Sequence, residues 1–161
     1  MAHGADHDRW TRRLALPFGL LCWPLLGTPA AAAATAAFLI GGLWLSPDLD
    51  TPSRPTRRWG PLAVFWLPYR RLVRHRGWLS HLPLLGSGCR LAYLGLGLVL
   101  MGTLLQPLGL PGPRALITGT TALWQQQRPL VLAILAGLEA SAWLHLIQDG
   151  DPMPLGARRR R

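Results

Sequence analysis

LALPFGLLCWPLLGTPAAAAATAAFLIGGLWLS, residues 14–46, decides the fold. These 33 residues carry no charged side chain. One membrane span takes about 20 apolar residues, with a range of about 17–25. The run is too long for one span. It fits two short ones if the chain turns at Gly27-Thr28-Pro29, where glycine and proline together signal a turn. The reading is a helical hairpin with arms 13–27 and 29–46, one long broken span being the alternative. Pro17 and Pro24 are expected to kink the first arm. The small residues from Ala30 to Ala37 are expected to let helices approach closely.

Outward from the hairpin, Leu91 to Leu110 is a charge-free third span, and a fourth runs from about Pro129 to Ile147 with one acid, Glu139, inside it. Residues 111–128 between them read as a loop opened by Pro and Gly. Residues 47–90 are the one long polar segment. Within it, WGPLAVFWLPYRRLVR at 59–74 is too short and too broken by Pro61 and Pro68 to cross. It is expected to lie in the interface plane, with Trp59 and Trp66 among headgroups and its arginines on lipid phosphates. The expected fold is therefore all-α, an integral membrane bundle of about four spans plus an interfacial helix or loop. It forms one embedded domain, 1–155, followed by a basic tail, 156–161.

Composition supports a membrane protein. Half of the 161 residues are hydrophobic and only 15% are charged, against about 25% in soluble domains. The length suits a single domain. Two cysteines, Cys22 and Cys89, exclude a disulfide-stapled scaffold and a cysteine-rich zinc module and read as packing residues. No cleavable signal peptide is expected, because the first apolar run follows twelve polar-biased residues and continues too long. All 17 basic residues are arginine, and the net charge is +10. Four spans place 15 of those 17 arginines on one face, with Arg114 and Arg128 on the other. Arginine excess marks the cytoplasmic side, so both termini are expected to be cytoplasmic, in a bacterial inner or other internal membrane. Trp10, Trp44 and Trp143 fall near that interface and Trp23 and Trp124 near the other, as an aromatic belt requires. The expected partners are the bilayer, its anionic headgroups and a membrane protein complex; nucleic acid is not expected, even for the terminal arginine run. The glycines of GLGLVLMG lie inside a span and read as packing, not as a dinucleotide loop.

The same topology gathers all five histidines and six of the seven acids on the arginine-rich face. Four clusters matter. HGADHD places His3 and His7 at i, i+4, one face of a helix, with His7 nearer the span. SPDLD, Ser46 to Asp50, ends the second arm and offers two carboxylates to a hard or borderline divalent cation. HRGWLSH carries His75 and His81 around Gly77, with Arg74 and Arg76 close enough to clamp a phosphate. HLIQD sets His145 and Asp149 at i, i+4 on one helix face. Glu139, an ionisable group inside a span, is a candidate to orient a ligating histidine or to pair with an arginine.

Together these are about eight donors, enough for one complete site or a two-ion site. Imidazole and carboxylate without thiol suit Zn first, and Mn or Fe also. A metal with an open position makes bound water acidic near pH 7, and two ions about 3.5–4 Å apart can clamp a phosphoryl group.

In these residues the chain resembles a known family. N-terminal HD, SPDLD, RWGPL, PYR, HRG-x-x-SH and a final H-x3-D look like the uncharacterised metal-binding membrane proteins grouped as domain of unknown function 2227. The pattern is also similar to the YdjM-type membrane-bound metal-dependent hydrolases and, more remotely, to the zinc-dependent phospholipase C and P1 nuclease group. The likeness covers roughly residues 3–150. It implies His7, Asp8, Asp48, Asp50, His75, His81, His145 and Asp149 as metal positions. The expected activity is hydrolysis of a phosphoester or lipid-like substrate. In it Asp8, Asp48 or Asp50 accepts a proton, and Arg74 or Arg76 stabilises developing charge. A non-catalytic metal-binding accessory subunit or assembly factor is the alternative, and a metal-free basic surface adaptor is a third.

Overall fold

The structure is a computed structural model that describes residues 4–150. His3, Asp151 and the terminal arginines lie outside them. Every regular element among the described residues is helical. The first, α1 (Gly4–Leu43), is broken at Gly27, whose φ of 77° and ψ of 172° are open to glycine and strained for other residues. The Trp23 indole N–H donates to Thr28 Oγ1 across this turn, and Pro29 opens the second arm, where its missing N–H is not needed.

The arms run antiparallel. A Cβ at Gly42 would meet Thr11 at 2.5 Å, a Cβ at Gly19 would fall on Thr35 Oγ1, and Phe18 packs on Phe38 at 5.2 Å. The expected turn is therefore where the chain reverses. Pro17 and Pro24 lie within the first arm, and Gly27 is the residue of α1 that leaves helical φ/ψ.

After the hairpin come a 3-10 turn (Pro47–Asp50), α2 (Arg54–Arg57), a second 3-10 stretch (Gly60–Phe65), α3 (Trp66–Leu72) and α4 (Trp78–His81). Three longer helices follow: α5 (Leu85–Leu105), α6 (Pro113–Gln126) and α7 (Arg128–Gln148). Three segments are long and apolar enough to cross a membrane: Gly4–Asp50, Leu85–Leu108 and Arg128–Gln148.

The second arm and α7 run parallel in tight contact. Gly137 lies against the Ala34 carbonyl and Ala37, Gly41 lies against Leu138 and Ser141, and Ala30, Ala34 and Ala133 form a dry seam. Small residues bring the two backbones close, and this fixes where the ends of α1 and α7 meet.

Three readings change. Residues 111–128 are mostly helix, α6, not loop; its Pro113 sits in the first turn, where proline starts a helix rather than breaking one. Trp66 is not among headgroups. It is fully buried with Leu49, Tyr69 and Val73, under Tyr93 and Leu94 of α5. A stretch that is apolar and then basic resembles an interfacial helix, but here its aromatic side packs on α5, where Phe65 lies on Gly97 and the Tyr93 hydroxyl donates to the Phe65 carbonyl. Glu139 pairs with no arginine among the described contacts. It accepts from the Leu84 N–H at 2.8 Å, at the start of α5, where a carboxylate opposes the helix dipole favourably.

Candidate metal centre

Four stretches converge at one end of the bundle: the start of α1, the 3-10 turn after it, the 75–81 segment and the last turn of α7. The turn forms because Ser46 caps it, accepting from the Asp48 N–H at 3.4 Å, and Pro47 occupies its first position. The Asp48 carbonyl then accepts from Thr51 N–H (3.1 Å), Thr51 Oγ1 (3.0 Å) and Ser53 Oγ (2.8 Å). Leu49, fully buried beneath Trp66, anchors the middle of the turn. With Leu49 held inward, the turn presents both Asp48 and Asp50 to the histidines.

His145 and Asp149 occupy one side of the end of α7, His145 Nε2 lying 3.5 Å from Asp149 Oδ2 and 3.4 Å from Asp48 Oδ1. His81 closes α4. Its Nε2 is 4.0 Å from Asp48 Oδ1 and its Nδ1 3.7 Å from Asp50 Oδ2. His75 bonds Asp50 Oδ1 through Nδ1 at 2.9 Å and is the exposed member. The chain reverses between the two histidines at Arg76, a non-glycine residue with φ of 57°.

Two donor groups result, each with ligand atoms within 4.8 Å of one another: Asp48, His81, His145 and Asp149; and Asp50, His75 and His81. His81 belongs to both. His7 stacks on His145 at 4.0 Å between ring centroids and places Nε2 3.2 Å from Asp149 Oδ1, beside the first group.

The donor set fits a divalent cation. Nε2 of His145, Nε2 of His81 and Oδ2 of Asp50 are buried and bond nothing in the protein. Buried polar atoms without partners are costly, and a cation among them would satisfy several at once. Burial, with His145 and His75 nearby, pushes His81 down to about 4, so its ring is neutral and able to ligate. Burial would raise Asp149, but its bond to His7 and the charges of His145 and His7 outweigh this and hold the carboxyl below its usual range.

Seven of the eight expected metal positions share this network. The eighth, Asp8, does not reach either group: its buried carboxylate pairs with Arg58 and, at 3.4 Å, with Arg54. Arg58 also donates to the Leu43 carbonyl at 2.7 Å, clasping both ends of the hairpin. Arg76 lies 3.7 Å from Asp149, while Arg74 is exposed.

Sequence reasoning passed over Ser46 and Ser80, whose hydroxyls lie 3.4 Å from His145 Nδ1 and 2.9 Å from His81 Nδ1, and Arg58 and Arg90, which donate to the Leu43 and Ser80 carbonyls. Ser46 had a readable signal, a serine two residues before an aspartate with proline between, the pattern of a helix cap. Ser80 had none beyond its place next to His81.

The family described as "Uncharacterized metal-binding protein (DUF2227)" matches residues 2–159, and the chain belongs to it. An uncharacterized protein of Aquifex aeolicus (strain VF5) is 45% identical over 58 residues, 35% of this chain and 40% of that protein. The match thus spans less than half the length of that relative. No solved structure matches.

Proposed function

We propose that this protein is an integral membrane metal protein that hydrolyses a phosphoester-like or lipid-linked substrate at the water boundary. The carrying observation is the pair of donor groups joined at His81. One offers two imidazoles and two carboxylates, enough donors to complete a four-coordinate zinc. The other, around Asp50 and His75, borders the His81 ring and leaves room for water or substrate, as catalytic sites do. Zn fits both, with Mn or Fe next. A bound cation there supplies Lewis acidity toward a phosphoryl oxygen and a water acidic enough to ionise near neutral pH.

The chain's own residues supply the rest. Asp50 holds the exposed His75 ring through Nδ1, which turns the other ring nitrogen toward a cation. Arg76, next to Asp149, is placed to offset charge on phosphoryl oxygens. Asp8, already neutralised by Arg58 and Arg54, positions the hairpin rather than accepting a proton. The family's description supports metal binding, and the three long apolar helices support membrane insertion.

The test is turnover of a generic phosphodiester and of a phospholipid by purified protein loaded with Zn or Mn. The expected result is measurable hydrolysis that falls at least about 100-fold in Asp50→Asn. A metal-loaded protein that cleaves neither substrate overturns the reading. It would leave the second one, a non-catalytic accessory subunit. That alternative is favoured by α5, which buries only Gly86, Arg90 and Gly102 and exposes Leu96, Leu98, Leu100, Met101 and Leu104.

A further inference from the structure

We infer that Ser80, held in place by Arg90, fixes the tautomer of His81 and leaves Nε2, on the Asp48 side, as its one bare nitrogen. Ser80 is 1% exposed. Its Oγ lies 3.0 Å from the Arg74 carbonyl, 3.1 Å from the Gly77 carbonyl and 2.9 Å from His81 Nδ1. A hydroxyl has one proton and two lone pairs. The two carbonyls can only accept, so the proton goes to one of them. A lone pair is then left for His81, which must carry its own proton on Nδ1. The opposite tautomer would take the hydroxyl proton away from both carbonyls and set oxygen lone pairs against each other at about 3 Å in a buried loop. With Nδ1 protonated, Nε2 is bare. This is the nitrogen that is buried, unpartnered and on the Asp48 side.

Arg90 makes the arrangement rigid. It is a buried cation of α5, donating to the Ser80 carbonyl at 2.9 Å and to Ser87 Oγ at 3.1 Å. The approach depends on Gly86, where a Cβ would meet the Ser80 carbonyl oxygen at 2.6 Å. Neither the hydroxyl nor the guanidinium is itself one of the grouped metal donors. They act through His81, as positioning residues whose loss weakens a metal site without removing a ligand.

The inference rests on His81 as a ligand, and its test is arranged so that the two fail separately. Isotope-labelled histidine NMR of the metal-free protein in detergent reads the tautomer without any metal. The wild type is expected to show His81 protonated on Nδ1, and Ser80→Ala to lose that preference. Chelator competition is then expected to show Zn affinity reduced about 10–100-fold in Ser80→Ala and largely restored in Ser80→Thr, which keeps the hydroxyl. Ser141→Ala is the packing control. It removes an equally buried hydroxyl that bonds only the Leu138 carbonyl and is expected to stay within about twofold of wild type. A wild-type His81 protonated on Nε2, or a folded Ser80→Ala protein with wild-type Zn affinity, overturns the inference. A wild type that binds no Zn but keeps the Nδ1 tautomer overturns only the ligand role.

Discussion

The two halves of the donor cluster are delivered by different means. His7, His145 and Asp149 sit at the ends of long helices, α1 and α7, whose separation is fixed by glycine and alanine packed backbone to backbone. Asp48, Asp50, His75 and His81 sit on short turns of the 46–81 segment, which has no long helix of its own. That segment is positioned by one aromatic cluster around Trp66 and by hydroxyl and guanidinium bonds to its carbonyls. The helix half is set by shape, the loop half by a few anchors. A helix end can carry a ligand with little help, whereas a loop ligand needs a partner for each ring and each turn.

This contrast can be broken most forcefully at the loop's anchor. Trp66→Ala should destabilise the protein by about 3–5 kcal/mol, read by denaturant or thermal unfolding in detergent, because a fully buried indole leaves a cavity between Leu49 and Tyr93. An effect below about 1 kcal/mol would mean that the segment is held by something other than this cluster.

The helix half should respond to added volume instead. Gly137→Leu forces a side chain onto the Ala34 carbonyl and the Phe38 backbone nitrogen, and overpacking of this kind costs about 1–3 kcal/mol. Gly95→Ala, whose Cβ would meet nothing beyond its own helix within 4 Å, should leave the melting temperature no lower. Equal effects at the two glycines would contradict the close-packed seam.

A smaller effect sharpens the loop half by pH. In the metal-free protein His81 stays neutral down to about 4, against 6.5 for a free imidazole. Between those values the unfolded chain binds the extra proton and the folded one does not, so stability rises with pH across this window and levels off above it. Melting temperatures of the metal-free protein should therefore fall from pH 6.5 toward 4, and His81→Gln should flatten part of that slope. A slope unaffected by the substitution would assign the acid sensitivity to other groups.

The same contrast explains what could be read from the sequence. The hairpin was legible because Gly27, Thr28 and Pro29 interrupt a charge-free run, and only glycine takes the φ of 77° that the reversal uses. The donors were legible because scarce histidines and acids gather at helix ends, and the i, i+4 spacing of His145 and Asp149 needs no tertiary information. The partners of the loop donors were not. Arg90 reaches Ser80 and Arg58 reaches Asp8 across 10 and 50 residues, and neither leaves a local pattern. Asp8 beside His7 looks like half of a ligand pair until Arg58 and Arg54 are seen to neutralise it. Trp66 was misplaced because the apolar and basic halves of 59–74 suit an interface as well as a packed corner, and only the position of Tyr93 decides between them.

His81 has one bare nitrogen, Nε2 on the Asp48 side, so it ligates with Asp48, His145 and Asp149, and metal content tests this most directly. Elemental analysis of purified, dialysed protein should show His75→Ala keeping the ion of the Asp48–His81–His145–Asp149 group, while a helical, folded His81→Ala protein loses that ion. A His81→Ala protein that retains the full wild-type metal content would contradict it.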